Sequence, residues 1–175
     1  MTDDEIPSHT PPLYLETDSG ARCPLTFVSG GAAFAAFVED LAPEYRTTRE
    51  LTKFVELARP LHIDLGPWAL WANDDEPDPE EFHGEALTRV ARRLGLSPEA
   101  YFEREQQRNE HAWQSPQSLL TAARELQRVF HLSAAPTVPF FELYGYKDLD
   151  QDLDDLQEMA AWAIELGGRV RMVLT

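Results

Sequence analysis

The last forty residues constrain the fold more than any other stretch of this 175-residue chain. Val138, Phe140, Tyr144 and Tyr146 alternate with Phe141 and Leu143, so Thr137 to Tyr146 is predicted to be a strand with two apolar faces. Asp150 to Leu166 has the period of an amphipathic helix, and Gly167-Gly168 ends it where a positive φ costs glycine little. In Arg169 to Leu174, Val170, Met172 and Leu174 alternate with Arg169, Arg171 and Val173, the pattern of a half-covered strand. More than twenty residues and a helix between two strands suit a crossover joining parallel neighbours.

On that helix Leu149, Leu153, Leu156, Ala160, Ala163 and Ile164 fall on one side, and Asp154, Asp155, Glu158 and Glu165 on the other. Trp162 projects among the acids. It either packs under a neighbouring loop or helix, or serves as an aromatic anchor inside an acidic patch, the composition of an interface hot spot.

Upstream, residues 1 to 11 read as a disordered tail and residues 12 to 175 as one domain. Leu13 to Thr17 and Pro24 to Val28 form an expected hairpin through Asp18-Ser19-Gly20. Ser29-Gly30-Gly31 leads into a helix from Ala32, and Thr47 with Glu50 makes a capping box for another. Leu61, Ile63 and Leu65 alternate with His62 and Asp64, which predicts a half-buried strand. Trp68 to Ala72 reads as a second short strand or a buried loop, with both tryptophans in the core. Asp78 caps a helix carrying Phe82, Leu87, Val90 and Leu94, while Ser97-Pro98 and Ser115-Pro116 open two more. The expected fold is α+β: a mixed sheet, built from the N-terminal hairpin, a middle strand near Ile63 and a C-terminal β-α-β unit, packed with four to six helices.

Charge narrows the function. The net charge of −16 disfavours nucleic-acid phosphate and anionic lipid as partners and favours a basic protein. No apolar run approaches the ~20 residues that span a bilayer. Cys23 is alone, which suits a reducing cytoplasm, and two lysines against thirteen arginines suit a GC-rich bacterial genome. Acids concentrate at residues 74 to 81, beginning with Asp74, Asp75 and Glu76, and again at 148 to 158. Such clusters would steer a cationic partner, with Asp154, Asp155, Glu158 and Trp162 in contact. Solubility is the competing account of the same charge.

No complete catalytic or metal-ligand set is present. His62-x-Asp64 lacks a third partner, and Asp148, Asp150 and Asp152 imitate a calcium loop whose glycine is replaced by Leu153. No metal and no cofactor are expected. The leading expectation is therefore a non-enzymatic acidic binding module of the inhibitor or immunity type. The alternative is a small enzyme or ligand binder using a pocket of Trp68, Trp71, Tyr144 and Tyr146, with Glu142 or His62 as its polar group. Glu142 is also placed to pair with Arg169 or Arg171 on a neighbouring strand.

Overall fold

The computed structural model describes residues 12–41, 62, 64–74, 85–131 and 146–175. Within them the chain is α+β, with five α-helices and a three-stranded mixed sheet. In chain order the elements are β1 (Leu13–Thr17), α1 (Ala32–Leu41), β2 (Trp71–Asn73), α2 (Glu85–Arg93), α3 (Pro98–His111), α4 (Pro116–His131), α5 (Tyr146–Leu166) and β3 (Val170–Leu174). A 3-10 turn, Gly66–Ala69, precedes β2.

β3 is the central strand, antiparallel to β1 and parallel to β2. The expectation of a half-covered last strand is corrected: Val173 is buried, and Arg171 is held in ion pairing and stacking instead of pointing freely into water. The parallel neighbour of β3 is β2, and residues 137–145 lie outside the described residues. Tyr146 opens α5 and does not end a strand.

The N-terminal hairpin closes only in part. Thr17 donates to the Ala21 carbonyl at 2.8 Å and Cys23 to that of Leu15 at 2.8 Å, and Glu16 bridges Arg22. The chain then leaves, because Pro24 has no N–H and the Leu25 N–H turns onto the Cys23 sulfur. Residues 24–28 are accordingly not a strand. Of the strand expected from Leu61 to Leu65, His62 adopts φ 56° and Asp64 caps the Gly66 N–H at 2.9 Å, and the short strand expected within Trp68 to Ala72 forms from Trp71. Ile63 and the capping box at Thr47 lie outside the described residues.

One face of the sheet builds the core. Leu13, Leu15, Val170, Met172 and Leu174 meet Phe34, Phe37 and Val38 of α1, Leu119, Ala123 and Leu126 of α4, and the stripe of α5. The rings of Phe34 and Phe37 stand edge-on to Trp68, with centroids 5.7 and 6.2 Å away. The α5 stripe is wider than its apolar residues suggest: Leu149, Leu153, Leu156, Ala160 and Ala163 are buried, as are Asp152 and Asp155, whereas Ile164 is exposed. Gly167, at φ 77°, ends α5, and a Cβ on Gly168 would collide with the Asp18 carboxylate.

α3 docks by charge. Its expected apolar face is thin, and the structure supplies a substitute: Glu105 is buried, accepts from Asn73 Nδ2 at 2.9 Å and pairs with Arg108 at 3.0 Å. Arg108 lies over the Trp71 ring, 4.5 Å from its centre. Burial pushes the Glu105 carboxyl up and the Arg108 guanidinium down, and the Asn73 hydrogen bond to Glu105 opposes the first shift. The Ser97 cap forms as expected, accepting from Ala100 N at 3.1 Å.

Candidate functional site

Strand alternation sends Tyr14, Glu16, Arg171 and Val173 to the face opposite the core. There they meet α3, which brings Phe102, Gln106, Asn109 and Glu110, with Trp113 just beyond its end. The result is a cleft of about 580 Å³, in the range of small-ligand sites. Asn73 and Asp74 also line it.

The cleft is wired by its own polar groups. Arg171 Nε donates to Glu16 Oε1, a terminal nitrogen donates to the Asn109 carbonyl at 3.2 Å, and the guanidinium lies 4.5 Å from the centre of the Trp113 ring. The Tyr14 hydroxyl donates to Asp74 Oδ1 at 2.8 Å, and the Arg22 guanidinium sits 3.7 Å from the centre of the Tyr14 ring. Burial, then the bonded carboxylate of Asp74, pushes the Tyr14 phenol up to about 12. It is therefore a permanent donor at neutral pH. Asn109 Oδ1 accepts from the Asn73 backbone N–H at 3.0 Å, which ties α3 to β2 at the floor.

None of Tyr14, Glu16, Asn109, Trp113 or Arg171 was singled out as a binding residue from the sequence, apart from Arg171 as a partner for Glu142. The available signal was the parity of β1 and β3, which puts Tyr14, Glu16 and Arg171 on one face. That α3 would cover this face is not written in local periodicity.

The sequence-predicted site residues that are described do not form one cluster. Asp154 and Glu158 are exposed on the outer side of α5, and Asp154 accepts from Gln127 Nε2 at 2.7 Å. Asp155 is corrected from surface acid to buried acceptor: it takes the Val28 N–H at 2.8 Å and Gln151 Nε2 at 3.0 Å. Trp162 is half-buried, packed against the core along the same edge of α5 as Asp155. Asp74 bonds Tyr14 in the cleft, and Asp75 and Glu76 lie outside the described residues. Arg169 and Arg171 are engaged by Asp18 and Glu16 of the N-terminal segment.

Trp68 and Trp71 are 0% and 2% exposed and belong to the core. Glu142 and Tyr144 lie outside the described residues. His62 and Asp64 are not on a strand, yet both line an open depression of about 400 Å³ beside the start of α4, with Gln117, Ser118 and Glu125. Asp148, Asp150 and Asp152 are helical, so they cannot fold as a calcium loop; Asp150 pairs with His131 at 2.7 Å. Among the described residues no three His, Cys, Asp or Glu side chains gather as a metal-ligand set, and no helix is long and apolar enough to cross a membrane. Cys23 is buried, and burial pushes its thiol up, away from the reactive thiolate.

Comparison of the chain with protein-family models, curated proteins and solved structures finds no match.

Proposed function

We propose that this chain is an acidic, non-enzymatic binding module that occludes a basic protein surface, as an inhibitor or immunity-type protein does. The observation that carries the reading is the outer side of α5. The helix holds seven acids and a single lysine, and none of its last-turn residues is basic. Asp148, Asp154, Glu158 and Glu165 are exposed, and Glu158 and Glu165 flank the half-buried Trp162 one turn to either side. A partly accessible indole between two carboxylates suits an arginine or lysine of a partner, which can lie on the ring while its charge is met. The concentration of like charge focuses a field that brings a cationic surface in quickly. A cytoplasmic setting suits the lone buried thiol.

The test is a titration with an arginine-rich peptide in three proteins: the wild type, Asp154→Asn/Glu158→Gln, and Glu99→Gln/Glu103→Gln, which removes the same charge from exposed positions on α3. The reading expects the α5 pair to weaken binding well beyond the control pair. Equal losses would show diffuse attraction by net charge and leave the acidity to solubility.

A further inference from the structure

We infer that the edge of α5 carrying Trp162 receives a helix of the partner, one whose apolar and basic side chains share a single face. The inference rests on the basic-partner reading and adds to it the form of the partner's segment and a second apolar contact, Val28.

Val28 is 81% exposed, the most exposed large apolar side chain among the described residues. Single apolar residues scattered over a surface are ordinary. Val28 differs in how it is held. The Phe27 ring before it is buried, 5.8 Å from that of Phe34, and the Phe27 carbonyl accepts from the Gly30 N–H at 3.0 Å. The Val28 N–H donates to Asp155, and the Ser29 hydroxyl after it donates to Asp152. Three consecutive residues are thus pinned to the core and to α5, with the valine side chain left outside at a fixed place. Little ordering entropy is lost when a partner covers it.

That place lies on the Trp162 edge. Asp155, Glu158, Trp162 and Glu165 follow one another at steps of three or four residues, so they form one ridge of α5. Asp155 is buried beneath the segment that bonds it, and Val28 stands at its position. Outward, the ridge therefore alternates apolar and acidic: Val28, Glu158, Trp162, Glu165. Asp155 and Trp162 are about 10 Å apart along the helix axis, at 1.5 Å per residue.

Spacing selects the form of the occupant, and charge its composition. In a helix, residues i and i+7 return to one face about 10 Å apart, with i+4 between them and i+11 beyond. In an extended chain one face recurs about every 6.6 Å, so a side chain about 10 Å along points away. A helix laid along α5 with apolar residues at i and i+7 meets Val28 and Trp162. Arginine or lysine at its i+4 and i+11 meets Glu158 and Glu165, where an acidic residue would face like charge.

Two alanine-based helical peptides of equal composition and charge test this. In one, leucines at i and i+7 share a face with arginines at i+4 and i+11; in its isomer the leucines move to the opposite face. Fluorescence anisotropy of the labelled peptides reads their affinity for the full chain. The shared-face peptide is expected to bind about tenfold tighter, close to the worth of burying one apolar side chain. Val28→Ser keeps the backbone donor to Asp155 and removes only exposed apolar surface. It should weaken the shared-face peptide about threefold or more and leave the isomer unchanged. Equal affinity of the two isomers, or indifference to Val28→Ser, would overturn the inference. The two proposals fail separately. Isomers that bind alike, yet both lose more in Asp154→Asn/Glu158→Gln than in Glu99→Gln/Glu103→Gln, end the shared-face helix and leave the basic partner standing. Losses no greater than the control pair's, for both isomers, end the basic-partner reading itself.

Discussion

The Asp155 carboxylate accepts the Val28 backbone N–H at 2.8 Å across 127 positions of sequence. One turn earlier on the same helix, Asp152 accepts from the Ser29 hydroxyl. Two buried acids of α5 thus hold the segment that leads into α1. Neither belongs to the solvent-facing acidity of the helix, and the burial of Asp152 sets a pH dependence that can be measured.

Asp152 is fully buried, and its Oδ2 meets no donor among the described residues. Burial raises its carboxyl above the ordinary carboxylate range, and the neighbouring Asp155 and Asp148 add to the rise. The Ser29 hydroxyl and the Phe34 backbone N–H oppose it. A folded-state value above the unfolded one, about 3.9, gives stability that is complete below the unfolded value and lost as pH rises through the folded one. Asp152→Asn keeps an oxygen for Ser29 and removes the charge. The variant should match the wild type near pH 4 and become the more stable of the two as pH rises above that value. Urea unfolding at several pH values reads the gap, and a gap constant with pH would show that Asp152 bears no such cost.

Arg171 sits on the central strand with three contacts, to Glu16, the Asn109 carbonyl and the Trp113 ring. Its side chain is 26% exposed and that of Glu16 is 21% exposed, so solvent screens the pair in part. Arg171→Met preserves the aliphatic stem and should cost about 1–2 kcal/mol, less than the loss of a fully buried pair. Glu16→Gln should cost less, because Arg171 keeps its other two contacts. A double-mutant cycle should return a coupling of about 0.5–1.5 kcal/mol, and a coupling near zero would show that stacking and the carbonyl hold Arg171 without Glu16.

The sequence disclosed what local chemistry decides and concealed what distant residues decide. The Ser97 cap, the end of α5 at Gly167 and the burial of Trp68 and Trp71 follow from residue type and spacing. The turn cluster Asp18-Ser19-Gly20 closes the hairpin only as far as Cys23, because Pro24 has no N–H to continue the pairing. Alternation at His62 and Asp64 did not report the Asp64 turn or the left-handed His62, both of which are set by local backbone geometry. Asp155 read as a surface acid because its acceptor role depends on Val28, which no helical period reports. The cleft was half legible: parity groups Tyr14, Glu16 and Arg171, but α3 reaches them through Asn73, Glu105 and Arg108.

Trp68 tests the corrected place of the tryptophans. Its ring meets Phe34 and Phe37 edge-on, and its indole N–H has no partner among the described residues. Trp68→Ala should cost about 3–5 kcal/mol, as large-to-small changes in a packed core do. Trp68→Phe should cost much less, since it keeps an aromatic ring and removes an unpaired buried donor. Denaturation curves decide this, and a near-neutral Trp68→Ala would mean that the ring lines an adaptable space after all.

The kinetic prediction for α5 separates attraction from anchoring. Asp154 and Glu158 are exposed, so they act at a distance on an approaching cation, and salt screens them within about 10 Å at 0.1 M. Their neutralisation should slow association with an arginine-rich peptide and flatten its salt dependence. Dissociation should change little. Trp162 is different, because a half-buried ring acts only in contact. Trp162→Ala should speed dissociation while association stays close to wild type, since anchors lengthen residence. The ring also packs against the core, so the same substitution lowers stability, and the comparison needs Trp162→Phe, which keeps most of that packing. If the anchoring account holds, Trp162→Phe retains fold and part of the residence time, and Trp162→Ala loses the residence time at temperatures where both remain folded. Unchanged dissociation in both variants would remove Trp162 from the interface and reduce the role of α5 to steering.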